Sequence, residues 1–422
     1  MTRPWLMWSL PALLFLIAFF HRVAPGVMAK ELMQTFGVSG AVIGLLSATY
    51  FYSYAGFMVP AGLLIDAFGV RKVVAAGGAV MGAGTLLMGG ATASPALFTG
   101  RFAVGLGATV TFIGALKIAA TWFPPSRFGF LSAITATVGV LGALIAAAPL
   151  AALVAVVGWR GAFWVVGIVT LAGAILCLLV VRDRPEGERT EPAPPPASLA
   201  VVMRGMAQVL RNRHTWPPFL GFFCLYTALG NLMLWMVPYL RDVYGLGNTR
   251  AAVYASATPL ALLFAAPLTG YVSDEILKAR KLLYTLLSGS QFALWAAFVA
   301  TLGVLPLWGV YVLFFAMGVV GAAFVLTWPI GREVNPPALA GIAVAVVNLG
   351  GFLGAAVTQG PIGALLDARW MGAMADGARA YPMEAYRAAF VVCAAFVLAA
   401  TLLSFLLRET RGRNVYAELR TS

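Results

Sequence analysis

Charge is scarce in this sequence. Asp, Glu, Lys and Arg make up 10% of the 422 residues, against roughly 25% in a soluble domain, so an ordinary water-exposed surface cannot be built from it. Histidine is scarcer still, with His21 and His214 the only two, and the three cysteines, Cys177, Cys224 and Cys393, sit in separate apolar runs. Such spacing supports neither a His/Cys metal site nor a disulfide framework, and the cysteines read as packing residues. There is no nucleophile elbow, and the glycine-rich stretches lie inside apolar runs rather than at strand-to-helix turns. An enzyme is therefore not expected, nor a cofactor or a metal. Ten-residue segments of alternating polarity are missing too, which excludes a membrane barrel.

What is present is apolar bulk: 61% of residues are hydrophobic and the mean hydropathy is +0.90. It is arranged in runs of about 20 residues, each long enough to cross roughly 30 Å of hydrocarbon as a helix. Since no backbone amide may stay unpaired in lipid, the reading is an all-α integral membrane bundle of twelve spans. They are expected at 6–28, 40–66, 71–91, 95–122, 128–156 and 161–181, then 217–240, 250–272, 281–303, 306–330, 338–366 and 386–408. The first run follows Arg3 but lacks a small-residue cleavage site, so it reads as a helix rather than a removed signal. Residues 1–182 and 214–408 form two six-helix bundles in this reading. Between them, 183–213 is a cytoplasmic linker containing Pro194-Pro195-Pro196, and 409–422 is a tail. Within the linker Leu199, Val202, Met203, Met206, Val209 and Leu210 recur at helical spacing beside Arg204, Arg211 and Arg213, the pattern of a helix on a membrane surface.

The formal charge of +13 invites a nucleic-acid reading, but its distribution argues otherwise. With both termini in the cytoplasm, about 18 basic residues fall on that side and about 7 outside, as the positive-inside rule requires. The lipid bilayer accounts for the charge, and nucleic acid is not needed. The expected location is the bacterial inner membrane, as a monomer.

Internal repetition organises the chain. Gly62 and Asp66 recur as Gly270 and Asp274 at the ends of the second and eighth spans; Trp122 to Arg127 parallels Trp328 to Arg332, and Arg160-Gly-Ala-Phe163 parallels Arg387-Ala-Ala-Phe390. Two similar halves suit alternating access, in which one rocks against the other.

The stretch Gly62-Leu-Leu-Ile-Asp66-Ala-Phe-Gly69-Val-Arg71-Lys72 resembles the signature loop of the major facilitator superfamily between helices two and three. Gly69 suits a tight turn, and Asp66 suits a latch to a base or a helix N-terminus. Gly270-Tyr-Val-Ser-Asp274, followed by Lys278, Arg280 and Lys281, is a degraded copy. Arg101-Phe-Ala-Val-Gly105-Leu-Gly107-Ala108 adds a glycine pair fit for close helix contact. The resemblance implies the two-bundle fold and secondary transport, while leaving the solute open.

Ionisable groups inside a bilayer are costly and mark function. No Asp or Glu is expected deep in a span, whereas Arg22, Arg101 and Lys117 are. Arg22 and Arg101 each lie roughly 9 Å from the outer end of their span and are expected to meet one anion together. Lys117 lies about 24 Å further along the fourth span, where snorkelling to the surface explains it. His21-Arg22 resembles the first-helix Asp-Arg of the anion:cation symporter branch, with histidine replacing the aspartate. That branch's carboxylate seven residues after the span-four arginine is Ala108 here. His21 is thus the candidate for proton coupling, against a plain interfacial role. Asn231, Trp235, Trp328, Asn348 and Gln359 are candidate neutral solute contacts, and Tyr50, Tyr52 and Tyr54 read as helix-packing residues. The expected function is transport of a small carboxylate-like anion, with protons as the candidate coupling ion. The alternatives are export of drugs or siderophore-like compounds, and a sensor that binds without transporting.

Overall fold

The computed structural model describes residues 2–124, 127–185 and 199–421; the proline run of the linker lies outside them. Twelve helices or helix pairs are long and apolar enough to cross a membrane. In chain order the helices are α1 (Thr2–Val27), α2 (Ala29–Phe36), α3 (Gly40–Phe68), α4 (Val70–Gly89), α5 (Ser94–Trp122), α6 (Phe128–Ile145), α7 (Ala148–Val180), α8 (Leu199–Arg211) and α9 (Trp216–Tyr244). Then follow α10 (Asn248–Ala255), α11 (Ala257–Tyr271), α12 (Arg280–Ala300), α13 (Leu307–Gly321), α14 (Thr327–Glu333), α15 (Ala340–Asp367), α16 (Met383–Ser404) and α17 (Tyr416–Thr421). The eighth span joins α10, α11 and a π-turn at Val272–Ile276; the tenth joins α13, a 3₁₀ turn at Ala322–Leu326 and α14.

Two boundaries differ from expectation. The fifth span does not run unbroken over 128–156: α6 stops at Ile145 and α7 starts at Ala148, because Pro149 has no N–H with which to continue the ladder. Within α7, Gly158 leaves the helical region (φ 70, ψ 168), a conformation that glycine tolerates, and the sixth span follows it. The tenth span reaches Glu333 rather than 330, which brings a carboxylate into its last turn.

The chain forms two compact units. One holds the described residues up to 185 except 39–45; the other holds 39–45 together with residues 199–421. In the first unit, glycines let backbones approach as small residues do in membrane bundles. A Cβ at Gly105 would collide with the Tyr50 carbonyl and the Ser53 hydroxyl, and one at Gly107 with the Gly77 carbonyl. These contacts draw α5 against α3 and α4. In the second unit α8 lays Val209 onto Phe219, Ala343 and Val346. Near the chain end, Met374 pairs with Arg379 and Ala375 with Ala378 in a two-residue hairpin. Its turn, Asp376-Gly377, has φ of 48 and 76, the left-handed pair that an Asp-Gly hairpin needs.

Candidate functional site

Three helices of the first unit bring the intramembrane charges together. On α3, Tyr50 and Tyr54 stand one turn apart and so share a face, with their rings stacked 5.9 Å apart. The Tyr50 hydroxyl donates to the Ala18 carbonyl at 3.0 Å and accepts a long bond from Arg22 Nε at 3.4 Å. Across the same ring α5 places Arg101. The Arg22 and Arg101 guanidinium carbons lie 5.9 and 4.9 Å from the Tyr50 ring centre. Arg22, partly exposed, also lies 3.9 Å over Phe19 and 5.2 Å from Tyr54. Aromatic faces attract guanidinium groups and fix their plane, so Arg22 is oriented by three rings.

Arg101 departs from expectation in its access. It is fully buried, and Nη1 donates to the His21 carbonyl at 2.6 Å, so it is held to backbone as well as standing by the ring whose hydroxyl Arg22 bonds. Among the described residues its Nε and Nη2 meet no hydrogen-bond partner. Leaving charged donors buried and unsatisfied costs more than the roughly 1–3 kcal/mol typical of a neutral group. The site therefore has unfilled demand for an acceptor. His21, also fully buried, sets Nε2 3.1 Å from Thr85 Oγ1. Since the Thr85 hydroxyl donates to the Met81 carbonyl, the arrangement calls for a proton on Nε2, and Nδ1 has no partner among the described residues.

The other candidates belong to the second unit. Asn231 is buried between α9 and α15, donating to the Thr227 carbonyl and, at 3.0 Å, to Thr358 Oγ1. Gln359 donates to the Gly230 carbonyl at 3.3 Å. Trp328 packs edge-on to Phe222 and Phe324, while Trp235 is fully buried, edge-on to Tyr381. Asn348 is half-buried on α15. Asn231 and Gln359 thus make helix-to-helix bonds, although their carbonyl oxygens have no partner among the described residues.

The signature loop is built as a pair of caps. Gly69 takes φ 82 as the chain turns into α4, and Asp183 accepts from the Arg71 backbone N–H at 2.9 Å, capping that helix. Arg71 Nε donates to the Leu178 carbonyl, and Lys72 is exposed. Asp66 pairs with Lys117 at 2.8 Å, both side chains about half exposed, so the lysine reaches toward the surface and meets a carboxylate at the end of α3. Gly62 and Gly270 both face open space, so neither is required by packing. In the second copy Asp274 pairs with Arg280, whose Nη2 also holds Glu333 at 2.9 Å.

Four residues escaped the sequence reading. Tyr50 was assigned to packing, yet it lies near both arginines; its spacing from Tyr54 was the available signal. Glu333 was left outside the spans. Asp367 and Tyr381 meet the start of α3, more than 320 residues away: Asp367 accepts from the Gly40 and Ala41 N–H groups at 3.0 and 2.7 Å, and Tyr381 Oη accepts from Gly40 at 2.9 Å. Burial first, then its bond to Asp367, raises the Tyr381 phenol above its ordinary range, so it stays a donor at neutral pH.

A family model described as Major Facilitator Superfamily matches residues 12–359. The probable sulfoacetate transporter SauU of Cupriavidus necator is 27% identical over 279 residues, covering 63% of this chain and 64% of that protein, which is less than two thirds of its length. The probable galactarate/D-glucarate transporter GudP of Bacillus subtilis is 24% identical over 398 residues, 86% of each. Among solved structures, a bacterial homologue of the human lysosomal transporter Spinster superposes with a TM-score of 0.77 at 17% identity over 96% of both chains. A D-xylose–proton symporter does so with 0.74 at 15% identity, over 98% of this chain and 100% of that one.

Proposed function

Because the chain belongs to the Major Facilitator Superfamily, we propose that it is a secondary transporter of a small organic anion carrying two acidic groups, with Arg22 as the direct contact. One observation carries this reading: Arg101 is enclosed with two unpartnered nitrogens, on the same tyrosine that Arg22 bonds. Two guanidinium groups focus positive potential on a small volume, and a dianion answers both. Arg22, partly exposed beside Phe19, Tyr50 and Tyr54, contacts one acid group. Arg101, behind Tyr50, supplies field and the unsatisfied donors. The names of the relatives agree, since sulfoacetate, galactarate and D-glucarate each bear two acidic groups.

On this reading the protein lies in the bacterial inner membrane with both termini in the cytoplasm, as the basic residues require. His21 is the proton-coupling group, through the Nδ1 that lacks a partner; pH dependence of transport unchanged in His21→Gln would remove that assignment.

The test is flux in proteoliposomes. Radiolabelled sulfoacetate or D-glucarate should enter vesicles containing the wild type, and Arg22→Ala should lose at least about tenfold of that rate, the cost of one charge-assisted bond, with an unchanged melting temperature. Normal flux in Arg22→Ala would overturn the site assignment.

A further inference from the structure

The corner between α8 and α9 is fixed from inside the second unit. α8 ends at Arg211 and α9 begins at Trp216, and the turn between them is tied down by two amides and a hydroxyl. Asn212 Nδ2 donates to the Val334 carbonyl at 2.8 Å and to Asn335 Oδ1 at 3.0 Å, while its own Oδ1 accepts from the His214 N–H at 3.1 Å. The Thr215 hydroxyl, buried, donates to the Val209 carbonyl at 2.9 Å and accepts from Asn335 Nδ2 at 2.9 Å. A connected network whose members are all satisfied makes a rigid support. The side chains carried on this turn, exposed Arg213 and half-buried His214, therefore stand at set positions.

The end of α16 arrives at the same place. α9 and α16 pack in opposite directions, with Phe223 meeting Phe396 at 6.1 Å and Tyr239 meeting Tyr386 at 5.4 Å between ring centres. The start of one helix thus lies beside the end of the other. Arg408, just past the last turn of α16 and exposed, joins Arg213 in acting electrostatically on the His214 ring. Arg213 Nε donates to His214 Nε2 at 3.3 Å, which puts the proton of the neutral ring on Nδ1 and makes that nitrogen a further donor.

This gathering of donors has no counter-charge. Among the described residues no carboxylate pairs with Arg213 or Arg408. Glu409, next in sequence to Arg408, commits both oxygens to the Arg280 and Lys281 N–H groups. Like charges brought to one point repel, so the cluster calls for an anion.

The surroundings decide which anion. The seventh span opens at Arg213 and the twelfth closes at Ser404, so the cluster sits where hydrocarbon gives way to headgroups. Trp216, exposed, is held at this level by the bond from its Nε1 to the Leu210 carbonyl at 3.0 Å, the depth at which tryptophan anchors membrane helices. Phe405 and Leu406 add exposed apolar surface from the end of α16. A soluble anion gains nothing from that surface, whereas a phospholipid brings its phosphate to this depth with acyl chains directly below it.

We propose that Arg213, His214 and Arg408 form a headgroup site for an anionic phospholipid, the guanidinium groups pairing with its phosphate while Trp216, Phe405 and Leu406 lie along its acyl chains. The site belongs wholly to the second unit, uses neither Arg22 nor Arg101, and is independent of the solute.

Native mass spectrometry of the full-length protein in detergent, titrated with phosphatidylglycerol or phosphatidylcholine, tests it. The wild type should bind the first phosphatidylglycerol at least about tenfold more tightly than phosphatidylcholine. Arg213→Gln combined with Arg408→Gln should weaken phosphatidylglycerol binding on the order of twentyfold, about fivefold for each basic residue lost near a membrane surface, and leave phosphatidylcholine binding unchanged. The control pair Arg250→Gln with Arg387→Gln removes the same charge from exposed positions beyond the end of α9 and near the start of α16, and should bind as the wild type does. Phosphatidylglycerol affinity in Arg213→Gln with Arg408→Gln equal to that of the wild type overturns the site, as does an equal loss in the control pair. Displacement of phosphatidylglycerol by glycerol 3-phosphate at equal concentration overturns the lipid assignment in favour of a soluble anion.

Discussion

At the end of the second span Asp66 pairs with Lys117, the side chains 45% and 52% exposed. At the end of the eighth, Asp274 meets Arg280, which is 8% exposed and also grips Glu333, 2% exposed. The two aspartates are related by the internal repeat, but their surroundings give the pairs different physics. An exposed pair gains little and breaks easily. A buried pair is dear to break, because removing one member leaves the other charged and dry. The second copy is reinforced further: Glu409 accepts from the Arg280 and Lys281 N–H groups capping α12, Thr410 bonds to Glu333, and the Glu333 carbonyl accepts from Val415 N–H. Equivalent loops thus hold an exposed pair in the first half and a buried pair, clamped by residues 409–415, in the second.

The contrast can be broken from its strongest side. Glu333→Gln should destabilise the protein by up to about 3–5 kcal/mol, since Arg280 keeps only the half-exposed Asp274 as its carboxylate partner, visible as a large fall in thermal unfolding temperature in detergent; a small fall would mean the second copy is no anchor. Asp183→Ala, which uncaps α4, should cost about 1 kcal/mol, measured in the same way, and would sharpen the view that the first-half turn is held by capping rather than by ion pairing. The smallest effect belongs to Lys117→Met: no more than about 1 kcal/mol, with folding unaffected. A loss comparable to that of Glu333→Gln would erase the distinction between the two loops.

Much of this was legible before any coordinates. The twelve spans follow from apolar run length, and the turn at Gly69 follows from glycine ahead of Arg71-Lys72, because both are local. Helix rise puts Arg22 and Arg101 at one depth, and their guanidinium carbons lie 5.9 and 4.9 Å from the Tyr50 ring centre. Partners that depend on tertiary approach were not legible. Asp66 was placed at a latch and Lys117, 51 residues away, at the surface, but nothing in the sequence paired the two. Glu333 was missed because polar residues at a span end look like loop, and only its bond to Arg280 shows that it is buried. Asp367 and Tyr381 gave no signal at all: an aspartate after an apolar run reads as a helix end, and the N–H groups it caps belong to the opposite end of the chain. Tyr50 shows a subtler failure, in which a residue that packs also orients charge.

The account rests on the anion demand of the Arg22–Tyr50–Arg101 cluster, and its most direct test is equilibrium binding by purified protein. Titration calorimetry with D-glucarate or sulfoacetate should show saturable binding to the wild type, weakened about ten- to hundredfold in Arg22→Ala and absent for a neutral polyol of similar size. Equal affinity in Arg22→Ala and wild type, or polyol binding as tight as that of the dianion, would contradict it.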